Sequence, residues 1–331
     1  MIHRRSLIAA AAAALAATAA PAQDEPIEMV LTNEVATTHW KAALMEEFAE
    51  RIRERSGGRI DAQVFHAGTL YTSRDAVGAL GTGAVHMVWP VSVQLESLAP
   101  EYGVINLPFA IDDTLMMTEG AAPALAEMVS QYVADRGIRV MGLMRAAELM
   151  FLYEDKVVDA PDKLGGDKIR MTGGRVLQSL MRELGANPIS MPASEMATAL
   201  MQGAIDGIYT SSGGWQMVGA NAAEIATHIP GMGLVTYTVL ADDAWLENLP
   251  EDLREVVIST TEELLADQWA SGIESDQATA ELMIEQGGRL VTVEGAALEK
   301  FRSLAVEASD AFIERHPDVW EEFQATVAKF R

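Results

Sequence analysis

In GGDKIRMTGGRVLQSLMRELGANPISMP, residues 165–192, Arg170 ends a short strand-like run just ahead of Thr172-Gly173-Gly174 and a helical pattern. A guanidinium in that place can grip a carboxylate. Its planar fork offers two parallel donors and stays charged when desolvated, whereas lysine is a strongly hydrated point charge. Without further context, a lone arginine at a strand end is better explained by a surface ion pair, here with Asp167 or Glu195. Thr172-Gly173-Gly174-Arg175 at a helix start resembles an anion cradle. It contains neither G-x-x-x-x-G-K-S/T nor G-x-G-x-x-G, so a plain tight turn is the better explanation.

The residues of most catalytic centres are not arrayed for work. His39, His66, His86, His228 and His316 are scattered, with no H-x-x-x-H pair and no carboxylate at metal-ligand spacing. Thr210-Ser211-Ser212-Gly213-Gly214 lacks the glycine that a nucleophile elbow places two residues before its serine. Asp112-Asp113 and Asp242-Asp243 stand at element boundaries and read as caps. The chain has no cysteine, which excludes disulfides and thiolate chemistry. No catalytic residue, metal or cofactor is expected.

The elements that must position Arg170 alternate between strand and helix. Asp167–Met171 reads as a strand, and Val176, Leu177, Leu180, Met181 and Leu184 share one helical face. Asn187-Pro188 turns the chain into another strand, Ser194 suits an N-cap, Gly203 a stop, and Asp206-Gly207 a turn into IYTSS. Ligands of such open sheets sit beyond the carboxyl ends of the strands, where Arg170, Thr172 and Ser211 fall. Upstream, residues 27–35, 59–68 and 85–91 read as strands around a helix ending at Gly57-Gly58 and a short helix capped by Ser73. Residues 138–158 supply two more extended runs, and residues 250–286 form one long helical pattern with Gly272 as its candidate bend.

The chain opens MIHRRSLIAAAAAALAATAAPAQ, a pattern expected of an export signal over residues 1–22, with the route left open. The expected product is soluble and outside the cytoplasm. Its 331 residues exceed what one core usually serves, so two lobes are the default. A net charge of −24 argues against nucleic acid as a partner. The fold class is α/β.

PDKLGGDKIRMTGG, then a helix, then LGANPISMPASEMATALMQGAIDG resembles the solute-binding proteins of TRAP (tripartite ATP-independent periplasmic) transporters. GTLYTSRDAVGALGTGAVHMVWPVSVQLESLAPEYGVINLPFAIDD resembles their first-lobe segment. Together the matching pieces cover most of residues 27–290. The resemblance implies a two-lobed periplasmic binding protein fold, each lobe a mixed sheet flanked by helices, with the helix of residues 250–286 spanning both. Lobe 1 is expected to comprise residues 23–147 and about 236–275, and lobe 2 about 148–235 and 276–331. It also implies a periplasmic receptor, expected as a monomer, that captures a small organic anion by closure and hands it to a membrane permease. The arginine of the K-I-R motif, the family's main carboxylate partner, maps onto Arg170.

The chain also departs from the family. A second ligand arginine, found in many members on the preceding strand, is replaced in AAELMFLYEDK by Met150 or a near neighbour, which argues against dicarboxylates. The P-x-x-N segment gives way to residues 208–215, ending in Trp215. Loop position nominates Asn33, Glu34, Tyr71, Trp89, Met150, Thr172, Gly173, Thr210, Ser211 and Trp215 as further ligand contacts. If Trp89, Trp215 and Met150 line the cleft, the ligand is a monocarboxylate with an apolar or aromatic body. Two other classes share these residues: an exported enzyme with Glu34 as base, and a binding protein feeding a sensory receptor.

Overall fold

The computed structural model of the chain describes residues 25–331, so the expected export signal, residues 1–22, lies outside the described residues. In chain order the strands are β1 (Ile27–Thr32), β2 (Ile60–Phe65), β3 (Met87–Val88), β4 (Ile138–Glu148), β5 (Met150–Tyr153), β6 (Lys168–Met171), β7 (Asn187–Ser190), β8 (Gly207–Thr210), β9 (Ile225–His228), β10 (Leu234–Asp242) and β11 (Arg289–Thr292). They form two sheets, ordered β2-β1-β3-β10-β4 and β11-β9-β5-β8-β6-β7. Each is mixed. β1 runs parallel to β2 and β3 while β10 runs antiparallel to β3 and β4; β6 runs parallel to β7 and β8 while β5 runs antiparallel to β8 and β9.

The chain is thus a two-lobed α/β protein. Only Leu149 separates β4 in the first lobe from β5 in the second, and residues 229–233 carry the chain back from β9 to β10. The third link is the helix Glu251–Glu285, 35 residues and about 50 Å long at ~1.5 Å per residue. It runs unbroken through Gly272, the position the sequence offered equally as a bend or as a packing glycine. Gly272 is a packing glycine, since a Cβ there would stand 3.2 Å from the Arg145 Cβ on β4. Trp269 of this helix belongs to the first-lobe core, and Met283 to a cluster with Trp215 and Ile208 in the second. The last helix, Pro317–Val327, turns Phe323 and Val327 back into the first-lobe core, whereas the sequence expectation keeps the whole tail on the second lobe.

Local signals hold to within a residue or two. Thr72, one residue before the expected Ser73, caps the helix Ser73–Ala79 by accepting from the Asp75 N–H. Ser194 lies inside the helix Ala193–Met201, whose cap position is Pro192 without a side-chain bond, because proline already supplies extended backbone there.

Just past the long helix, a Cβ on Gly288 would lie 2.8 Å from the Met283 carbonyl and would strike the Trp215 ring, which is fully buried. Gly288→Ala is therefore expected to destabilise the protein by about 1–3 kcal/mol, read as a lower urea midpoint with unchanged slope.

Candidate functional site

Between the lobes lies a cavity with about 60 Å³ open to water-sized spheres, against roughly 10–15 Å³ needed to admit one water. Glu34, His39, Val91 and Tyr237 wall it from the first lobe; Arg170, Thr172, Tyr209, Thr210 and Ser211 face them from the second; Leu149 sits at the crossing. A larger hollow beside Pro161, Leu184 and Leu304, about 630 Å³, lies open on the second lobe's surface and holds no buried charge.

Arg170, on β6 between β7 and β8, is only 2% exposed. Its Nε and Nη2 donate to the Met191 carbonyl at 3.1 and 2.8 Å, which fixes the plane of the fork. Among the described residues no acid pairs with it: Asp167 is held by Lys156 and Tyr153, and Glu195 forms no ion pair. Burial pulls the guanidinium down to about 10, partly offset by Glu34, so it stays charged at neutral pH. The contrast with Arg145 on β4 is informative. That side chain, equally buried, is met by Asp113 at 2.8 Å and Asp276 at 3.0 Å. One buried arginine is neutralised within the protein and the other is not.

Opposite Arg170, Glu34 accepts from Lys41 Nζ at 3.4 Å through Oε1. Its Oε2 is buried without a partner. Lys41 is fully buried, donates to the Trp89 carbonyl at 3.2 Å and lies 4.1 Å over the Tyr237 ring. Burial pushes its pKa down, with Glu34 pulling the other way. His39 accepts from the Lys41 N–H through Nδ1 at 3.1 Å, which places its own proton on Nε2. Burial, helped by Lys41, lowers its pKa to about 3, so the ring is neutral. The pair Gly213-Gly214 serves close approach: a side chain on Gly213 would strike the His39 ring and one on Gly214 the Thr210 side chain.

The structure thus brings Arg170, Glu34, Thr172, Thr210 and Ser211 to one cavity and places the other candidates elsewhere. Trp89 is buried edge-on against Phe48, 5.5 Å between centroids, and only its carbonyl reaches the cluster, through Lys41. Trp215 is fully buried in the second lobe and donates to the Ala223 carbonyl at 2.6 Å. Met150 points into the same second-lobe core, and its neighbour Leu149 meets the cavity, because successive strand residues face opposite sides. Asn33 spends its side chain on the Val35 N–H and His66. Tyr71 packs on the first-lobe core. Gly173, at φ 129°, is part of the turn and outside the lining. With both tryptophans and Met150 away from the cavity, the argument for an aromatic ligand body has no support.

The apparent anion cradle at Gly174 is real and already filled. Glu96 of the first lobe accepts from the Arg175 and Val176 N–H groups, at 2.5 and 3.0 Å, at the start of the second-lobe helix Arg175–Glu183. A Cβ on Gly174 would lie 2.8 Å from the Val93 Cβ, so the turn must be glycine for the lobes to meet. Asn106 donates to the other Glu96 oxygen at 2.9 Å.

A two-lobed fold with a buried guanidinium, unpaired with any acid among the described residues, lining the cavity between its lobes defines the class. The chain belongs to bacterial extracellular solute-binding protein family 7, the DctP family, matched over residues 31–315. It is 24% identical to the C4-dicarboxylate-binding periplasmic protein DctP of Vibrio cholerae over 99% of this chain and 96% of that protein. It is similar to the sugar acid binding protein of Advenella mimigardefordensis in complex with galactonate, with TM-score 0.86 and 19% identity over 93% of this chain and 99% of that one. It is also similar to a TRAP periplasmic solute-binding protein of Shewanella oneidensis with bound succinate, with TM-score 0.83 and 23% identity over 91% and 99%. At these identities the structural likeness speaks for the fold.

Burial raises Glu96 to about 6 despite the three bonds it accepts. The folded state therefore holds this proton to higher pH than the unfolded chain, and the stability this gives is complete below 4.5 and lost as pH rises through 6. Wild type minus Glu96→Gln, followed by urea denaturation from pH 4.5 to 6.5, is expected to fall by about 2 kcal/mol.

Proposed function

We propose that the chain is the periplasmic receptor of a TRAP transporter, closing on a small organic monocarboxylate and delivering it to the membrane permease. The observation that carries this reading is Arg170, buried at the interlobe cavity with Nη1 unpaired among the described residues. A charge removed from water needs an opposite charge, and a carboxylate entering the cleft supplies it. The same requirement drives closure, because the anion is held best when both lobes surround it; its differential affinity sets how far the equilibrium moves. No helix among the described residues is long and apolar enough to cross a membrane, in keeping with a receptor that works beside a separate permease.

Of the solved relatives, one carries succinate and another galactonate. Here Leu149, not a second cation, occupies the crossing beside the cavity, which favours one carboxylate over two. The enzyme reading has little to rest on, because Glu34 Oε1 is engaged by Lys41 and no serine, histidine and acid are linked as a catalytic set around the cavity among the described residues.

Acids released from denatured protein and identified by mass spectrometry are expected to include a monocarboxylate, recovered unchanged after incubation with fresh protein. Calorimetry with that acid should show Arg170→Ala losing about 2–5 kcal/mol, roughly 30-fold to several thousand-fold in affinity. Unchanged affinity in Arg170→Ala contradicts the reading.

A further inference from the structure

We infer that Glu96 is a positioning residue for closure, an interlobe contact that takes up a proton as the lobes shut, so that the closed form is favoured in mildly acidic surroundings. This rests on the reading of the chain as a receptor that closes, and it adds a control at a place the captured acid does not touch.

Glu96 is a first-lobe side chain only 1% exposed, and one of its oxygens is held by backbone N–H groups of a second-lobe helix, those of Arg175 and Val176. Around it the lobes pack without slack, Gly174 against Val93 and Gly103 against Phe312 and Val176. It takes no part in lining the cavity that holds Arg170. Parting the lobes draws the carboxylate off its two donors and into water. Closing therefore moves Glu96 from solvent into a dry site, which favours its uncharged form.

The site is also built to accept that proton. Asn106 Nδ2 donates to the second Glu96 oxygen at 2.9 Å, while Asn106 Oδ1 is buried without a partner. Turning the amide over presents an acceptor to a protonated Oε1 and leaves Oε2 on the two N–H groups, so the neutral acid keeps three bonds.

Few charges face it. Arg175 on the second-lobe helix favours the ionised form. Arg315 and His316, just past the helix Gly295–Ile313, share with Glu96 and Arg175 a recess of about 20 Å³, and Glu101 of the first lobe stands 3.9 Å from His316. The recess has room for one water, through which the proton reaches solvent. Burial outweighs the three bonds and Arg175, which is why the closed carboxyl is raised to about 6 from the ordinary 4.5 to which a hydrated one returns. The closed state thus holds the proton to higher pH than the open one, and closure is favoured as pH falls through that interval.

The chain has no cysteine, so nitroxides on cysteines introduced at the exposed Gln63 of the first lobe and the exposed Met201 of the second read the interlobe distance by pulsed electron resonance. In ligand-free protein the ratio of short-distance to long-distance populations is expected to rise roughly tenfold between pH 7.5 and pH 5. His316→Gln should keep that response; Glu96→Gln and Glu96→Ala, either of which suffices if the other does not fold, should lose it. A ratio that ignores pH, an equal response in the Glu96 variants, or a response lost in His316→Gln overturns the inference. So does a purely structural Glu96, whose variants shift the urea midpoint and leave the distance populations and their pH response unchanged. No acid is added, so Arg170 is not under test: a single interlobe distance at every pH and in every variant defeats the closing-receptor reading as well, whereas two populations insensitive to pH defeat only this inference.

Discussion

A guanidinium buried without an anion is the constraint on which this structure turns. Arg170 has lost nearly all contact with water, and the Met191 carbonyl on which it leans offers two hydrogen bonds but no compensating charge. Arg145, buried to a similar depth one lobe away, shows the ordinary solution: two carboxylates of the protein close on it and hold β4, the loop helix Asp113–Met117 and the long helix together. The first arginine has no anion among the described residues and the second is held between two; in the proposed reading the first awaits the ligand. That difference separates a binding charge from a structural one, and burial alone would not reveal it.

The architecture buries this charge between two separately supported lobes. Two mixed sheets give each lobe its own support, and three covalent links, two short and one a long continuous helix, join them. Where the lobes meet, the contacts are made by glycines and by a first-lobe carboxylate capping a second-lobe helix. Glu96 and the ligand thus play parallel parts, each an anion of one origin satisfying donors of the opposite lobe. The former is built into the first lobe and joins it to the second; in the proposed reading the latter arrives from solution.

Much of this was legible in the sequence. The K-I-R run, its glycine turn and the following helix placed Arg170 at the carboxyl end of a strand, and the long apolar period over residues 250–286 announced the spanning helix. The cavity's other members were harder. Lys41 looks like a solvent lysine, yet it stands with Met45, Phe48 and Ile52 at spacings of four, three and four, on the buried face of its helix; that stripe is the signal that could have found it. Tyr209 and Tyr237 alternate with core residues on strands buried on both faces, where period two carries no information about which side meets a ligand. The tryptophans were misplaced because a large ring is buried wherever it falls, in core or cleft. Met150 and Leu149 show how one residue of register exchanges a core position for a cavity position.

The most direct measurement is a crystal structure of the protein grown with the acid it carries through purification. A carboxylate oxygen about 2.7–2.9 Å from Arg170 Nη1, enclosed between shut lobes, is the predicted result. An acid bound elsewhere, with Arg170 still resting on the Met191 carbonyl and its remaining donors facing only water, would contradict the central claim.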